Sequence, residues 1–444
     1  MINLKSDFVK EKYDELLELG NIENELYEKF NVKKGLRNAN GTGVLVELTK
    51  VANVHGYEID ANGNKIDSEG LLSFRGVDIY DLARLDKSVY GYEKTCYLLL
   101  FGRLPNDEEF EQFKAIISDC YDLPQEFINN IITRGVSENL MNHIMRSILA
   151  LYTFDNDPDN TDPLQTLQKG ISIIAKLPSI VSYSLQAKRH YLDYKTLHIR
   201  RPRKDFSIAE NLLYMSRNHG EFNQVEAETL DLALMIHAEH GGGNNSAFAN
   251  VVVASTGTDI YSAMVASLGS LKGPRHGGAN GAVEDMMTEV INAVGVNATD
   301  DELRVIANKL LDKNFYDKSG LIYGIGHAVY TLSDPRTILL KAKSKELAIM
   351  KDKLDLFDLY DRFERIAIEE LKRRKGPNFH TCANVDFYSG LTYKLLNIPR
   401  DLYTPIFACA RMVGWLAHNV EDKLYCNKII RPAAKYVGEY KHID

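Results

Sequence analysis

Residues 273–280 read GPRHGGAN, and this stretch interrupts a helical pattern on both sides. Apolar residues recur at three- and four-residue spacing over 259–272, which predicts a helix ending just before the motif. Gly273-Pro274 then forces a turn. His276 follows between short residues, where a ligand can approach the backbone closely. A lone loop histidine is usually only solvated, but its position between two helix ends favours a functional role.

The same helical spacing runs through most of the chain. It recurs over 6–19, 225–239, 301–313 and 337–349. Asp259 is a candidate N-cap, and Asp334-Pro335 pairs a cap with proline at the first helical position. The glycines of 241–243 are expected to end the helix that carries His237.

Strand signals are few and lie near the N-terminus. Val44-Leu45-Val46 predicts one short strand. Glu58-Ile59-Asp60 opposite Lys65-Ile66 predicts a hairpin around Asn62-Gly63. Internal repeats and low-complexity linkers are absent from the sequence, so a second domain would form from chain that leaves the helical body and returns. The predicted fold class is mainly α with a minor N-terminal β hairpin.

The composition is that of an ordinary globular protein, with 45% hydrophobic and 26% charged residues among 444. A chain of this length predicts two or three domains. It carries 53 basic and 61 acidic residues, a formal net charge of −8, which argues against a general nucleic-acid binder.

The five cysteines form no CxxC pair, which disfavours a disulfide framework or a structural zinc cluster and favours a reducing compartment. The N-terminal stretch MINLKSDFVKEKYDELLELG lacks the apolar core of a signal peptide. No apolar run approaches the roughly 18–20 residues that a membrane helix needs. We therefore expect a cytoplasmic protein that spans no membrane.

The segment IHAEHGGGNNSAFANVVVAST, 236–256, places His237 and His240 about one helical turn apart. Two imidazoles on one face raise the possibility of a zinc site. However, the zincin pattern HExxH separates its histidines by four positions, and Glu239 lies in the wrong place for it. The more ordinary interpretation of His237 is that it packs or caps.

The segment YGIGHAVYTLSDPR, 323–336, resembles the opening of a dinucleotide fingerprint at Gly324-Ile325-Gly326. We reject that interpretation because Val329 replaces the third glycine and no strand precedes the segment. What remains is His327 after two glycines and Arg336 in the first turn of a capped helix. Such a helix end with an arginine suits a carboxylate. The alternative for this arginine is a surface ion pair worth about 0–1 kcal/mol.

The segment ANVDFYSGLTYKL, 383–395, places Asp386 among weakly polar neighbours. Desolvation there would raise the pKa of the carboxyl group, as a general base requires. The alternative for a lone aspartate near a turn is an N-cap. The remaining C-terminal sequence contains Arg411, Gly414-Trp415 and Arg431-Pro432.

Together these segments resemble the citrate synthase family, in the same order and at comparable separations. The resemblance extends from SFRGVDIYDLA, 73–83, to Arg431. GPRHGGAN and GHAVYTLSDPR are its most specific motifs, and NVDFYSG and GWLAH support them. It implies an acyltransferase of the citrate (si)-synthase type in the tricarboxylic acid cycle. Acetyl-CoA and oxaloacetate would be its substrates, and no cofactor would be needed.

The resemblance also assigns roles to individual residues. Asp386 resembles the base that removes a proton from the acetyl methyl group, His276 the histidine that holds the thioester oxygen, and His327 the donor to the oxaloacetate carbonyl. The oxaloacetate ligands would be His240, Arg336, Arg411 and Arg431. The CoA contacts would be Leu321, Ile322, Gly324, Gly326 and Lys375. Lys375 closes the basic run 372–375, whose alternative role is a solvated helix face.

The fold implied by the resemblance is citrate-synthase-like, with two helical domains around a cleft. The large domain, 1–277 and 391–444, would carry the oxaloacetate side and the dimer contacts. The small domain, 278–390, would carry the CoA side and Asp386. We expect a homodimer or a higher oligomer of dimers, without nucleic-acid or membrane partners.

Three positions depart from the common family pattern. Ala383 stands where proline is usual, after the extended approach 376–382, Arg275 stands where leucine is common, and Ala328 stands where many bacterial members have arginine. The nearest alternative activity is that of a 2-methylcitrate synthase, which uses propionyl-CoA. A catalytically silent helical regulator and a zinc hydrolase are the rivals from other classes.

Overall fold

The computed structural model describes residues 6–38, 40–62, 65–85, 88–426 and 428–439. The chain forms two compact units. One comprises residues 1–47 and 430–444, and the other comprises residues 48–429. The predicted division into a large and a small domain, with boundaries at 278 and 390, stays a prediction.

The described residues confirm the mainly α fold, with eighteen α-helices and one sheet of three strands. The helices are Asp7–Leu19, Asn24–Lys29, Ile79–Leu85, Gly91–Phe101, Asp107–Asp119, Gln125–Phe127, Leu140–Leu151, Pro163–Tyr191, Ile208–Ser216, Gln224–His237, Asn245–Ala254, Ile260–Lys272, Ala279–Val294, Asp300–Leu311, Pro335–Met350, Leu354–Lys375, Val385–Leu395 and Tyr403–Tyr425. No helix in the described ranges combines the length and apolar composition needed to cross a membrane.

Side-chain caps explain where two of the predicted helices begin. Asp259 accepts a hydrogen bond from the Ser262 N–H at 2.8 Å. Asp334 accepts one from the Arg336 N–H at 3.0 Å, with proline at the first helical position. Both predicted caps are therefore confirmed.

The helix that carries His237 ends at that residue, before the glycines predicted to stop it. Glu239 turns inward there and is fully buried, with its Oε1 3.1 Å from His418 Nε2. Gly241, with φ of 84°, lies beyond this buried carboxylate. The prediction that the glycines end this helix is therefore wrong, because the helix has already ended when the chain reaches the buried Glu239.

The sheet is antiparallel and consists of Ala52–Ile59, Lys65–Phe74 and Val77–Asp78. Glu58 pairs with Ile66 and Ile59 with Lys65, which confirms the predicted hairpin. Its predicted turn residue Gly63 lies outside the described residues.

The strand predicted over 44–46 is wrong. Leu45 is 86% exposed, so no packing partner supports an extended conformation. The Val44 N–H donates to the Leu36 carbonyl at 2.9 Å in a local turn.

The hairpin packs against the segment 329–333, which follows His327. A Cβ on Gly70 would lie 2.1 Å from the Ser333 carbonyl oxygen, and one on Gly56 would lie 2.8 Å from Tyr330 Cα. The Thr331 hydroxyl donates to the Gly56 carbonyl at 3.0 Å. Two glycines therefore let a sheet lie directly behind a functional segment.

Long helices form the core of the larger unit. Tyr403–Tyr425 carries the fully buried Trp415 and brings Leu416 against Gly170 of the helix Pro163–Tyr191. A Cβ on this glycine would lie 2.3 Å from the leucine side chain, so the two helices approach closely. Burial of such apolar surface contributes about 25 cal/mol per Å² to folding.

Candidate active site

Two short loops, 324–326 and 382–384, pair with each other and position His327 and Asp386. Their centres form an antiparallel bridge. Asn384 makes two of the bonds, because its N–H and its Nδ2 each donate to a carbonyl of the first loop at 2.8 Å. The histidine and the carboxylate therefore emerge from one hydrogen-bonded unit.

The first loop requires glycine at two positions. Gly324 has a φ of 82° and Gly326 a φ of 102°, both in the left-handed region. A Cβ on Gly324 would also lie 2.8 Å from the Phe387 ring. The glycines that resemble a dinucleotide fingerprint thus serve the pairing of two loops.

His327 is held by the main chain that follows it. Its Nδ1 accepts hydrogen bonds from the Val329 and Tyr330 N–H groups, both at 3.0 Å. The ring also stacks on Tyr330, with centroids 4.7 Å apart. Burial lowers the pKa of His327 to about 4, and the Arg336 charge adds to this effect. A neutral ring that accepts at Nδ1 carries its proton on Nε2, so Nε2–H is a hydrogen-bond donor.

Asp386 is the second residue of the helix Val385–Leu395. Burial raises the pKa of this carboxyl group to about 6, although the guanidinium groups of Arg336 and Arg411 favour its ionised form. The N-cap is Asn384, whose Oδ1 accepts the Asp386 N–H at 3.0 Å. The capping alternative for Asp386 is therefore wrong, and its carboxylate is available for other contacts.

Arg336 forms a buried, two-point ion pair with Asp334. Its Nε and Nη2 donate to the two carboxylate oxygens at 3.0 and 2.7 Å. Arg336 is only 3% exposed, so the surface-ion-pair alternative is wrong. Burial opposes its charge, but the Asp334 carboxylate outweighs this and raises the pKa of Arg336.

Arg411 and His240 each carry a buried nitrogen without a hydrogen-bond partner among the described residues. Arg411 is 2% exposed, and its Nε donates to the His237 carbonyl. Arg411 Nη2 and His240 Nε2 are both buried without a hydrogen-bond partner among the described residues. Burial lowers the pKa of Arg411 to about 10, so its guanidinium is still charged at neutral pH. Buried donors of this kind call for an anion.

His240 lies against His327, with ring centroids 5.2 Å apart. Burial lowers the pKa of His240 well below its usual value, and the Arg336 and His327 charges act in the same direction. The ring is therefore neutral at neutral pH. This contact places the unpartnered nitrogen of His240 on a ring beside the predicted catalytic histidine.

His276 lies between the helices Ile260–Lys272 and Ala279–Val294, as predicted. Its Nε2 is 2.9 Å from the hydroxyl of Ser246, which is fully buried. Burial lowers the pKa of His276 to about 4, with a smaller effect from Arg411. The Arg411 charge acts on both His276 and Asp386, so its guanidinium lies near each of them.

The other predicted residues lie in different settings. His237 is fully buried against Phe407, with ring centroids 4.7 Å apart, which supports a packing role. Arg431 is an exposed residue of the other compact unit. Leu321 is 57% exposed, whereas Ile322 is 5% exposed.

The remaining CoA candidates make local contacts. Lys375 Nζ lies 4.4 Å above the Phe379 ring. The carbonyls of Gly324 and Gly326 accept hydrogen bonds from Asn384, and the Gly326 N–H donates to the second loop. CoA binding at these positions stays a prediction.

Sequence reasoning missed three residues that support the site. Ser246 contacts His276, Asn384 joins the paired loops, and Tyr330 stacks on His327. For Asn384 a signal was present, since asparagine two residues before Asp386 fits an N-cap. For Ser246 the local sequence carries none.

Comparison with known proteins identifies relatives of this chain. The family model "Citrate synthase, C-terminal domain" matches residues 41–433. The citrate synthase of Haloferax volcanii is 36% identical over 420 residues, which cover 93% of this chain and 97% of that protein. The solved citrate synthase of Pyrobaculum aerophilum has a TM-score of 0.73 at 30% identity and covers 90% of this chain and 93% of its own. A 2-methylcitrate synthase of Shewanella oneidensis is 30% identical, covering 83% of this chain and 88% of that protein.

The fold is mainly helical, and the candidate site holds a buried guanidinium with one unpartnered nitrogen. With a family model matching most of its length, the chain belongs to the citrate synthase family.

Proposed function

We propose that this chain is a citrate synthase, which condenses acetyl-CoA with oxaloacetate and water to give citrate and CoA. The observation that carries the proposal is the buried, unpartnered Arg411 Nη2, which calls for an anion, together with the unpartnered Nε2 of His240, whose ring lies beside His327. Oxaloacetate is a small dianion with a ketone. Its carboxylates would satisfy the donors, and its ketone oxygen would accept from the Nε2–H of His327.

The first step would form the enol of acetyl-CoA. Asp386 would take a proton from the methyl carbon, and its pKa of about 6 leaves it ionised at neutral pH. A thioester α-proton is too weak an acid for a carboxylate in water, so stabilisation of the developing oxyanion must supply most of the rate. His276 would donate to that oxygen from Nδ1, which requires the Ser246 hydroxyl to turn from Ser270, its acceptor at 3.2 Å, and to donate to Nε2.

The second step would form the carbon–carbon bond. The enol carbon attacks the ketone carbon, and the ketone oxygen takes a proton from His327. Arg336, Arg411 and His240 would hold the two carboxylates, for which a planar guanidinium fork is well suited. Water would then cleave the thioester and release citrate and the CoA thiol. The acyl group of acetyl-CoA becomes an alkyl substituent of citrate on transfer. Acetyl-CoA is consumed as a substrate, and the reaction would need no cofactor.

Further expectations belong with this proposal. CoA would bind the segment from Leu321 to Gly326, with Lys375 near its phosphates. Arg431 would complete the oxaloacetate site from across a homodimer or higher oligomer. The small domain 278–390 would close over the large one, and the enzyme would act in the tricarboxylic acid cycle in the cytoplasm.

The test is a thiol-release assay with acetyl-CoA and oxaloacetate. The wild type is expected to release CoA only when both substrates are present. Asp386→Asn keeps the side-chain shape but removes the base, so it should bind oxaloacetate and lose about 10²–10⁴-fold in turnover. Asp358→Asn, at an exposed position of the helix Leu354–Lys375, is the matched control and should retain full turnover. Unchanged turnover in Asp386→Asn would exclude its role as the base.

The similarity to a 2-methylcitrate synthase makes propionyl-CoA the second candidate substrate. One extra methylene changes discrimination by only about 1–3 kcal/mol in a pocket. Comparison of kcat/KM for the two thioesters in the same assay decides between them. A higher value for propionyl-CoA would reassign the substrate and leave the roles of the site residues intact.

A further inference from the structure

A second cavity, of about 590 Å³, lies away from the candidate active site. It is lined by the loop 216–223, by Arg189 and Lys351, and by Asn397. The helix Gln224–His237 begins beside the cavity and ends in the active site. A helix of 14 residues is about 21 Å long, so the two places are well separated.

Three cations line this cavity, and two of them share one carboxylate. Glu226 is 3% exposed and accepts hydrogen bonds from Arg217 Nη1 at 2.8 Å and from Lys351 Nζ. Burial opposes its ionisation, but the bonds from Arg217 and Lys351 outweigh it and lower the pKa of Glu226 to about 2. Arg217 Nε is buried without a hydrogen-bond partner among the described residues.

Arg189 is the third cation and is half-buried. Its Nη1 donates to the Ser216 carbonyl and to Asn218 Oδ1, both at 3.2 Å. Within the described ranges no carboxylate lies at ion-pair distance from it. Burial lowers the pKa of Arg189, because Asp193 and Asp401 offset the loss of solvent only in part. Together with the exposed Glu221, the lining holds two carboxylates against the three cations. One positive charge is therefore in excess.

We propose that this cavity is a binding site for a small oxyanion with two or more negative charges, separate from the active site. Arg189 would supply the unpaired guanidinium, and Lys351 would turn from Glu226 toward the ligand. The amides of Asn218 and Asn397 would complete the contacts. The chemistry fits a phosphate ester or a polycarboxylate, and the volume suits a molecule of metabolite size.

Two helices connect this site to the active site. Pro335–Met350 carries Arg336 in its first turn and is followed by Lys351 at the cavity. It is joined to the helix Gln224–His237 by the ion pair of Lys343 and Glu228, at 2.9 Å. A ligand that draws Lys351 away from Glu226 therefore affects the end of the helix whose first turn carries Arg336, a proposed oxaloacetate ligand. Anion binding is expected to change oxaloacetate affinity, a consequence that rests on the proposed function.

Calorimetric titration of the full chain tests the site with two probes, pyrophosphate and tricarballylate. At least one should bind saturably, and the tighter one identifies the phosphate or the carboxylate source. Arg189→Gln should weaken that binding about tenfold or more, whereas Arg203→Gln should leave it unchanged. Arg203 is a matched control because it is exposed, pairs with Asp205 and does not line the cavity. Absence of saturable binding, or equal binding in Arg189→Gln, would overturn the proposal.

The coupling is tested by titration of oxaloacetate with and without the saturating anion. Linkage predicts a change in affinity of about fivefold or more, lost in Arg189→Gln. Equal affinities would overturn the coupling. Absence of any oxaloacetate binding would count against the proposed function, because the first titration tests the cavity independently.

Discussion

His276 and His327 present similar buried rings, but the molecule holds them in different ways. The Nδ1 of His327 accepts from two main-chain N–H groups, so its tautomer follows from the fold of the backbone. The Nε2 of His276 contacts one side chain, the hydroxyl of Ser246. The main chain therefore fixes the tautomer of His327, whereas the hydroxyl beside His276 can donate or accept and leaves that tautomer open.

The support beneath the two rings also differs. The loop of His276 is held by a local bond from the Gly277 N–H to the Leu271 carbonyl at 3.0 Å and by a long-range bond from the Thr404 hydroxyl to the Gly277 carbonyl at 2.9 Å. The segment of His327 is braced by the paired loops and by the N-terminal hairpin. Substitutions in the N-terminal hairpin, which lies far from His327 in the sequence, should therefore affect His327 more than His276.

Removal of either ring gives the largest expected effect. His327→Ala and His276→Ala each delete one proposed donor to a developing oxyanion, so kcat should fall by about 10²–10³-fold in each. Steady-state kinetics with both substrates measures this. A kcat within tenfold of the wild-type value in either variant would contradict the proposed donor role of that ring.

Acidification should affect the base before it affects either histidine. The pKa values of both rings are lowered to about 4, whereas that of Asp386 is raised to about 6. The base works ionised, so kcat/KM should fall tenfold per pH unit as protonation proceeds below about pH 6. A profile flat down to pH 5 would contradict this order.

Loss of the Ser246 hydroxyl in Ser246→Ala should lower kcat about fivefold, the value of one hydrogen bond of roughly 1 kcal/mol. The oxaloacetate KM should not move, because this residue touches none of the oxaloacetate ligands described. Ser270→Ala is the companion variant, because it removes the acceptor of the Ser246 hydroxyl at 3.2 Å and leaves that hydroxyl free to donate to the ring, so kcat should not fall. An equal loss in both serine variants would indicate packing rather than tautomer control.

The smallest expected effect concerns the packing of the hairpin against the segment 329–333, which follows His327. In Gly70→Ala the new methyl group would meet the Ser333 carbonyl, so unfolding should require about 1–3 kcal/mol less. The oxaloacetate KM should rise a few-fold, as measured together with thermal unfolding. Gly43→Ala is the control, because nothing lies within 4 Å of its Cβ position. A stable Gly70→Ala enzyme with normal KM would show that the hairpin does not brace the site.

Local rules were sufficient for most of the fold. Helix positions follow from apolar spacing, and the Asp259 and Asp334 caps are visible within three residues. The strand over 44–46 failed because β propensity depends on a partner that the local sequence does not reveal. The stop after His237 failed because burial of Glu239 is a tertiary effect.

The sequence could propose residues for the candidate site but not the contacts that support them. The motifs identify His276, His327 and Asp386 through a family resemblance. They cannot show that Ser246, 30 positions from His276, contacts the ring, since that contact depends on helix packing. Nor can they show that Arg411 Nη2 is buried without a partner, because this depends on every neighbouring element.

The paired loops have a consequence for how the enzyme matures. Asn384 bonds a carbonyl 58 positions earlier in the chain, and the helices Pro335–Met350 and Leu354–Lys375 lie between. Contacts of such sequence separation form only after the entropy of closing the intervening chain is overcome. The proposed donor and base therefore meet only once the chain between them has closed, and an unfolded chain holds no centre that could waste a thioester.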